Sequence, residues 1–201
     1  MPRVLSDEAV GEFREKLVDA AERLFGQHGL EAVTMRQLAA ELGVSPMTPY
    51  RYFADKDAIL AAVRARAFNR HAEALELALE RGATPLERAD SVGRAYLSFA
   101  LGHPEAYKLM FDVKQANEAA HPELVEAGAR SRATMTAHLK AMIEGGVVKG
   151  DPDLIGHMFW SALHGAIQLQ LAGMLSPPFD AERLAGELMR TLWLGLNAAP
   201  A

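Results

Sequence analysis

Cysteine is absent from this sequence of 201 residues. Its absence excludes disulfide bonds, thiolate zinc sites, cysteine nucleophiles and iron–sulfur clusters. No apolar run reaches the ~18–20 residues that a transmembrane helix needs. Residues 1–16 are acidic and mixed and lack the apolar core of a signal peptide. We therefore expect a cytoplasmic protein that has no membrane partner.

Catalytic motifs are also missing. The sequence contains no GxSxG, HExxH, GxGxxG or P-loop pattern, and its carboxylates lie where helix caps and solvated faces would place them. On one helix, His157 and His164 would lie about 10 Å apart, too far to share a metal ion. The sequence predicts no enzyme activity, no metal site and no cofactor. An enzyme on a helical scaffold would need acidic groups with perturbed pKa values that converge in one pocket.

Positive charge is scarce, because 26 acidic residues outnumber 21 basic ones and the net charge is −5. This balance argues against a nucleic-acid-binding coat over the whole protein, but it leaves room for one local basic patch. Residues 1–60 carry seven basic and ten acidic side chains. Within residues 34–56 the balance reverses, since Arg36, Arg51 and Lys56 outnumber two acidic residues. Charge alone therefore decides nothing about DNA binding.

Apolar residues recur at three- and four-residue spacing almost throughout the chain, which is typical of α-helices. Proline, glycine and capping residues separate these periodic runs. They predict an all-α fold of about nine helices, three of them short. The predicted helices cover 12–28, 35–42, a short segment after Ser45, 56–81, 85–102, 104–111, 122–144, 152–173 and 181–197.

Residues 34–53 have the spacing of a helix-turn-helix. Thr34 and Gln37 have the spacing of a capping box in front of a short apolar run. Ala39 is small enough for a second helix to cross closely, and Gly43 can adopt the left-handed conformation that the turn requires. Any tight corner between two helices could share this pattern.

The segment GLEAVTMRQLAAELGVSPMTPYRYFADKDAIL resembles the N-terminal signature of the TetR family of transcriptional regulators over about thirty positions. The shared features are the Thr before the first short helix, the Gly-Val-Ser turn, a Thr two residues before a Tyr, and an aromatic pair followed by a Lys. The resemblance implies a helix-turn-helix DNA-binding domain at residues 1–60. It also implies a larger helical domain for ligand binding and dimerisation at residues 61–201.

The resemblance further implies roles at the DNA. One basic side chain of the first short helix would reach a phosphate or a base edge, and three residues that open the recognition helix would face the major groove. Two tyrosine hydroxyls, and a lysine at the N-terminus of the next helix, would bind phosphates. These residues are, in that order, Arg36; Pro46, Met47 and Thr48; and Tyr50, Tyr52 and Lys56. Phe53 is expected to pack in the core of the module.

Pro49 departs from the family pattern, which usually has an apolar helix former at this position. With Ser45 as N-cap and Pro46 as the first helical residue, Pro49 would remove the first full intrahelical hydrogen bond. The recognition helix is then expected to start late, near Thr48, or to have an irregular first turn. Because Met47 and the prolines offer few hydrogen bonds, we expect apolar contact with thymine methyl groups to contribute to base recognition.

Methionine and aromatic residues concentrate in the second domain, where helices should converge. Core packing is the simpler interpretation for most of them, but such residues also line adaptable apolar pockets. Residues 95–111 and 159–169 resemble a TetR subgroup whose C-terminal domain carries a Trp…His-Gly motif. In TetR-like proteins the domain behind the DNA-binding module holds an inducer, so the resemblance implies a ligand pocket here. The candidate ligand-binding residues are Tyr96, Phe99, Tyr107, Met110, Phe111, Trp160, His164 and Gln168.

His164 in this motif has two interpretations. As a structural group, it would be a core histidine hydrogen-bonded to a backbone carbonyl or a tyrosine. As a functional group, it would orient a polar part of a ligand or respond to pH. The adjacent Gly165 would allow a neighbouring helix to approach closely.

The last two predicted helices have wide apolar stripes, which by resemblance would form a four-helix interface in a homodimer. The sequence thus predicts a ligand-responsive transcriptional regulator, in the first place a repressor. It would bind a palindromic operator in double-stranded DNA as a dimer and be released by a small apolar or aromatic effector. The alternative is a helical small-molecule-binding or interaction protein that has lost specific DNA binding, as Pro49 and the acidic N-terminal module suggest. Exposure of Tyr50, Tyr52 and Lys56 on one surface would favour the regulator.

Overall fold

The computed structural model describes residues 6–111 and 117–198, with the side chains of all but residues 197 and 198. Over these residues the fold is all-α and contains no strand, as predicted. The α-helices are α1 (Asp7–His28), α2 (Met35–Glu41), α3 (Lys56–Glu80), α4 (Pro85–Gly102), α5 (Pro104–Phe111), α6 (Pro122–Glu144), α7 (Pro152–Leu171) and α8 (Ala181–Ala198). Two 3₁₀ turns, Pro49–Arg51 and Glu118–Ala120, complete the regular structure of the described residues. The prediction of nine helices was close. The missing α-helix is the short one predicted after Ser45, and residues 46–51 are named the recognition segment below.

Side-chain caps fix where the helices begin. Thr34 and Gln37 form the predicted capping box at α2, with the backbone N–H of Thr34 donating to Oε1 of Gln37 at 2.8 Å. Thr84 and Glu87 form a second capping box at α4, ahead of Pro85 in the first turn. These reciprocal bonds satisfy N–H groups that a helix cannot pair internally, and they explain why the predicted starts of α2 and α4 were accurate. The first helix begins five residues earlier than predicted, at Asp7, where Ser6 is the N-cap.

The chain forms two compact units. The first contains Met1–Phe68 and Lys108–Gly128, and the second contains Asn69–Tyr107 and Ala129–Ala201. The functional division between residues 60 and 61 concerns which part binds DNA and which binds a ligand, and it stays a prediction. None of the described helices is both long and apolar enough to cross a membrane.

The core of the first unit joins α1, α2 and the first half of α3. Phe25, Leu38, Phe53 and Ile59 are buried together there, which confirms the core position predicted for Phe53. Arg64 is also buried and donates hydrogen bonds to the backbone carbonyls at the end of α5. A buried guanidinium therefore satisfies carbonyl groups that the helix itself leaves open.

In the second unit, α7 packs against α4 and α8. The glycine of α7 that allows close packing is Gly156, because a Cβ there would lie 2.9 Å from Cγ2 of Thr136 in α6. The expectation for Gly165 was wrong. This residue is exposed, and an added Cβ would meet no atom of the described residues within 4 Å.

Candidate nucleic-acid interface and candidate ligand site

The turn after α2 has the predicted geometry. Gly43 has a φ of +64°, which confirms its left-handed conformation. The N–H of Val44 donates to the carbonyl of Ala39 at 3.0 Å, and the N–H of Gly43 donates to the carbonyl of Ala40 at 3.0 Å. Residues with a Cβ are strained at such a φ, so the glycine is what lets the chain turn sharply here.

The recognition segment is shorter than predicted. Pro46 and Met47 lie in a turn rather than in a first helical turn, with the N–H of Thr48 donating to the carbonyl of Ser45 at 2.8 Å. An α-helix that begins directly after Ser45 is therefore absent. The helical structure starts late, as expected from Pro49, with Thr48 before a 3₁₀ turn at Pro49–Arg51. Pro49 has no N–H, so it cannot donate the hydrogen bond that would continue an α-helix from Ser45. This explains the irregular start that the sequence predicts. Pro49 itself is buried, so its ring anchors the segment in the first unit.

Several of the residues expected at DNA are exposed to solvent. Met47 exposes 68% of its surface and Tyr50 exposes 48%. Pro46 and Arg36 are exposed as well, and Thr48 is half-buried. Within the described part of the chain, the Arg36 guanidinium makes no hydrogen bond or ion pair. This cation is therefore open to an anionic partner.

Tyr52 and Lys56 are half-buried and have structural contacts of their own. The ring of Tyr52 stacks on that of Phe13, with 4.4 Å between the ring centroids. Nζ of Lys56 donates to the backbone carbonyl of Leu30 at 3.0 Å. Neither residue is fully buried, but the Lys56 ammonium already has an acceptor in the protein. Its substitution would disturb the fold of the first unit as well as any phosphate contact.

Four of the candidate ligand residues form a continuous hydrogen-bonded chain inside the second unit. Nε1 of Trp160 donates to the hydroxyl oxygen of Tyr96 at 2.8 Å. The hydroxyls of Tyr96 and Tyr107 are 2.8 Å apart, and the Tyr107 hydroxyl is 2.6 Å from Nδ1 of His164. An indole N–H can only donate. Each hydroxyl can then donate to the next group when Nδ1 of His164 carries no proton.

The two tyrosines of this chain are almost completely buried, with 1% of Tyr96 and none of Tyr107 exposed. Burial raises the pKa of Tyr96 to about 12, against the opposing effect of its hydrogen bonds to Tyr107 and Trp160. The phenol is therefore neutral at physiological pH. His164 is a histidine hydrogen-bonded to a tyrosine, as its structural interpretation expects, while its contact with a ligand stays a prediction.

The remaining candidates lie elsewhere. Phe99 is buried in the second unit, and Gln168 is half-buried on α7. Met110 and Phe111 belong to the first unit, where Phe111 packs edge-on against Phe68 with 5.7 Å between the ring centroids. The structure thus joins Tyr96, Tyr107, Trp160 and His164 by hydrogen bonds and assigns two of the eight candidates to the other unit.

A buried polar pair that the sequence did not predict lies beside these hydrogen-bonded residues. His71 is 1% exposed, and its Nδ1 lies 2.9 Å from Oγ of Ser131. Burial lowers the pKa of His71 to about 4, so its imidazole is neutral at pH 7. The signal was present in the sequence, because His71 is four residues from both Ala67 and Leu75 and shares their apolar helix face.

Histidine, aspartate and glutamate are the metal-ligating side chains that the described residues can offer, since cysteine is absent. No group of three or more histidine, aspartate or glutamate side chains among them converges as a metal site would require.

Comparison with family models gives two matches that together cover most of the chain. The model described as bacterial regulatory proteins, tetR family, matches residues 17–63. The model described as tetracyclin repressor-like, C-terminal domain, matches residues 89–192, which is more than half of the chain. The HTH-type transcriptional regulator BetI of Rhizobium meliloti (strain 1021) is 31% identical over 132 residues. That alignment covers 64% of this chain and 65% of BetI, slightly less than two thirds of the relative's length.

Solved structures share the fold over nearly the whole chain. A protein of unknown function from Rhodococcus sp. RHA1 has a TM-score of 0.82 and 31% identity, with 98% of each chain covered. The transcriptional regulator FadR from Bacillus subtilis, solved in complex with stearoyl-CoA, has a TM-score of 0.75 and 20% identity. That comparison covers 90% of this chain and 98% of FadR, and at this identity it shows the fold alone.

Proposed function

Because the chain belongs to the TetR family of bacterial regulatory proteins, we propose that it is a ligand-responsive repressor that binds a palindromic operator as a homodimer. A small apolar or aromatic effector releases it from the DNA. The family and the curated relative are transcriptional regulators rather than enzymes. We place the protein in the cytoplasm, where its DNA is, and in the subgroup marked by the Trp…His-Gly motif.

The exposed face of the helix-turn-helix carries the proposal. Arg36 on α2 and Met47 and Tyr50 in the recognition segment are all exposed, so their side chains are accessible to a partner. An Arg without a protein acceptor can bind a phosphate or a guanine edge, and the tyrosine hydroxyl can bind a phosphate. Met47 offers an apolar contact for thymine methyl groups.

Apolar surface on α7 and α8 supports the proposed dimer. Four large apolar side chains of these helices are exposed: Leu154 (61%), Met158 (40%) and Leu169 (38%) in α7, and Leu194 (54%) in α8. A symmetric dimer through these helices would cover them. It would also supply the two recognition segments that a palindromic operator requires, since each chain has only one helix-turn-helix.

The effector site is proposed for the second unit, around the chain from Trp160 through Tyr96 and Tyr107 to His164. An effector can shift the protein away from DNA only by its difference in affinity between the DNA-competent and DNA-incompetent states. A ligand that inserts among these buried rings would have to rearrange the rings and their hydrogen bonds. The DNA-competent and DNA-incompetent states can therefore differ in their affinity for the ligand. FadR from Bacillus subtilis, with the same fold, was solved with a bulky acyl ligand.

The alternative function is a helical small-molecule-binding or interaction protein that has lost specific DNA binding. The short recognition segment behind Pro49 favours it, because a 3₁₀ turn presents less side-chain surface to a groove than a full helix does. DNA binding by the intact protein separates the two functions.

The experiment measures binding of the full-length protein to a labelled DNA fragment from upstream of its own gene, by fluorescence anisotropy. The variants are Arg36→Gln and Tyr50→Phe, and the control is Arg94→Gln, which removes a charge from an exposed ion pair in α4. We expect Arg36→Gln to weaken binding at least tenfold, and to reduce the salt slope by about 2 if both Arg36 side chains of a dimer contact phosphates. The control should bind like the wild type. Equal, weak binding by all proteins would favour the alternative function.

A further inference from the structure

His71 of α3 carries a buried ring nitrogen that has no hydrogen-bond partner in the described part of the chain. The side chain is 1% exposed, and Oγ of Ser131 is hydrogen-bonded to Nδ1. Nε2, on the far edge of the ring, is inaccessible to solvent and has no hydrogen-bond partner among the residues that the structure describes. Buried polar atoms without partners are rare because they lose hydration and gain nothing in return. An apolar residue would fill this position without that loss, so Nε2 is available to hydrogen-bond a molecule that binds here.

Aromatic rings surround this imidazole. The rings of Tyr96 and Phe99 stand nearly perpendicular to it, with centroids at 4.9 and 5.0 Å. Tyr96 is also the residue that joins Trp160 to Tyr107 in the buried polar chain. His71 therefore lies beside the candidate ligand residues, where an aromatic ligand would find aromatic contacts.

The charge state of His71 restricts the chemistry of such a molecule. Burial keeps the imidazole neutral at pH 7, since it lowers the pKa to about 4. An uncharged ring cannot compensate a carboxylate or phosphate for the hydration it would lose on burial. A hydroxyl group both donates and accepts, so it can pair with Nε2 in either tautomer of the imidazole. These constraints favour a neutral alcohol or phenol.

We propose that His71 is the polar anchor of the effector site, and that its Nε2 hydrogen-bonds the hydroxyl group of a neutral and otherwise apolar ring compound. The bond from Ser131 to Nδ1 holds the opposite edge of the imidazole, which leaves Nε2 for the ligand. This proposal rests on the proposed ligand-responsive function, to which it adds the chemical class of the effector.

The test uses three probes that share one bicyclic ring: 2-naphthol, naphthalene and 2-naphthoate. Their fluorescence is titrated with the full-length protein at neutral pH, for the wild type, His71→Phe and the control His28→Phe, which makes the same replacement at the exposed histidine that ends α1. His71→Phe keeps an aromatic ring but removes both nitrogens. We expect it to reduce the ratio of 2-naphthol affinity to naphthalene affinity about tenfold, with naphthalene binding unchanged. The wild type and His28→Phe should share one ratio, and both should bind 2-naphthoate more weakly than 2-naphthol.

A second measurement does not depend on how the variant folds. In wild-type protein with ¹⁵N-labelled histidine, the Nε2 resonance of His71 should move on addition of 2-naphthol and stay in place with naphthalene. An unchanged affinity ratio in His71→Phe, or an Nε2 resonance that none of the probes moves, would overturn the proposal and point to an internal water as the partner.

DNA binding of the wild type is measured in parallel with these titrations. Loss of specific DNA binding would overturn the proposed function, whatever the probes do. Specific DNA binding without any effect of His71 on the probes would overturn this inference alone.

Discussion

Removing the hydroxyl group of Tyr107 should destabilise the second unit markedly. Tyr107 is completely buried, and its hydroxyl takes part in hydrogen bonds with Tyr96 at 2.8 Å and His164 at 2.6 Å. In Tyr107→Phe both bonds are lost while the ring and its packing remain. Two bonds at about 1 kcal/mol each, with a further penalty for polar atoms left in the core, give a loss of about 2–3 kcal/mol in the free energy of unfolding.

The chain is well suited to this measurement. Its two tryptophans, Trp160 and Trp193, both lie in the second unit, so their fluorescence in a urea titration reports on that unit. Tyr50→Phe is the matched control, because it removes an exposed hydroxyl and should change the unfolding free energy by less than about 0.5 kcal/mol. If Tyr107→Phe unfolds like this control, the buried polar chain does not stabilise the second unit and the reasoning is refuted.

Three further predictions concern pH, backbone conformation and a buried charge. The folded pKa of His71 is about 4 and its ordinary value is 6.5, so as pH falls below 6.5 the unfolded chain binds the proton first and stability is lost. Between about pH 7.5 and about pH 5, urea titrations should show the wild type losing about 2 kcal/mol more than His71→Phe, and equal losses would contradict the pKa. Gly43→Ala should lower the unfolding free energy by about 1–2 kcal/mol because of its positive φ. Gly11→Ala, in the second turn of α1 where an added Cβ meets no described atom within 4 Å, should raise it by up to about 1 kcal/mol in chemical denaturation followed by circular dichroism. Arg64→Met should lower the unfolding free energy by about 2–3 kcal/mol, because it removes the hydrogen bonds that cap the end of α5. The exposed Arg94→Met should lower it by less than about 0.5 kcal/mol in the same assay. Similar values for both variants would exclude the capping role.

Local signals in the sequence were enough to predict most of the fold. Thr34 and Thr84 form capping boxes, and Gly43 turns the chain, because each of these depends on residues only a few positions apart. The recognition segment was harder to predict. Ser45 and Pro46 form a good helix start by themselves, but Pro49 removes the hydrogen bond that would continue the helix, and a 3₁₀ turn results.

The candidate ligand site depends on contacts between distant parts of the chain. Periodicity and a recognised motif singled out Tyr96 and His164, but their connection through Tyr107 depends on how α4, α5 and α7 pack. His71 was missed because an isolated histidine on an apolar helix face looks like an ordinary core residue. Its pairing with Ser131, sixty positions away, could be seen only after the helices were assembled.

Sequence-specific binding of DNA is the central claim, and one titration tests it most directly. The wild-type protein is titrated into a labelled fragment from upstream of its own gene and into a scrambled fragment of the same length and composition, at physiological salt. We predict that the upstream fragment binds at least about 1,000-fold more tightly, as specific complexes generally do. Equal affinity for the two fragments would contradict the account and leave a ligand-binding protein without an operator.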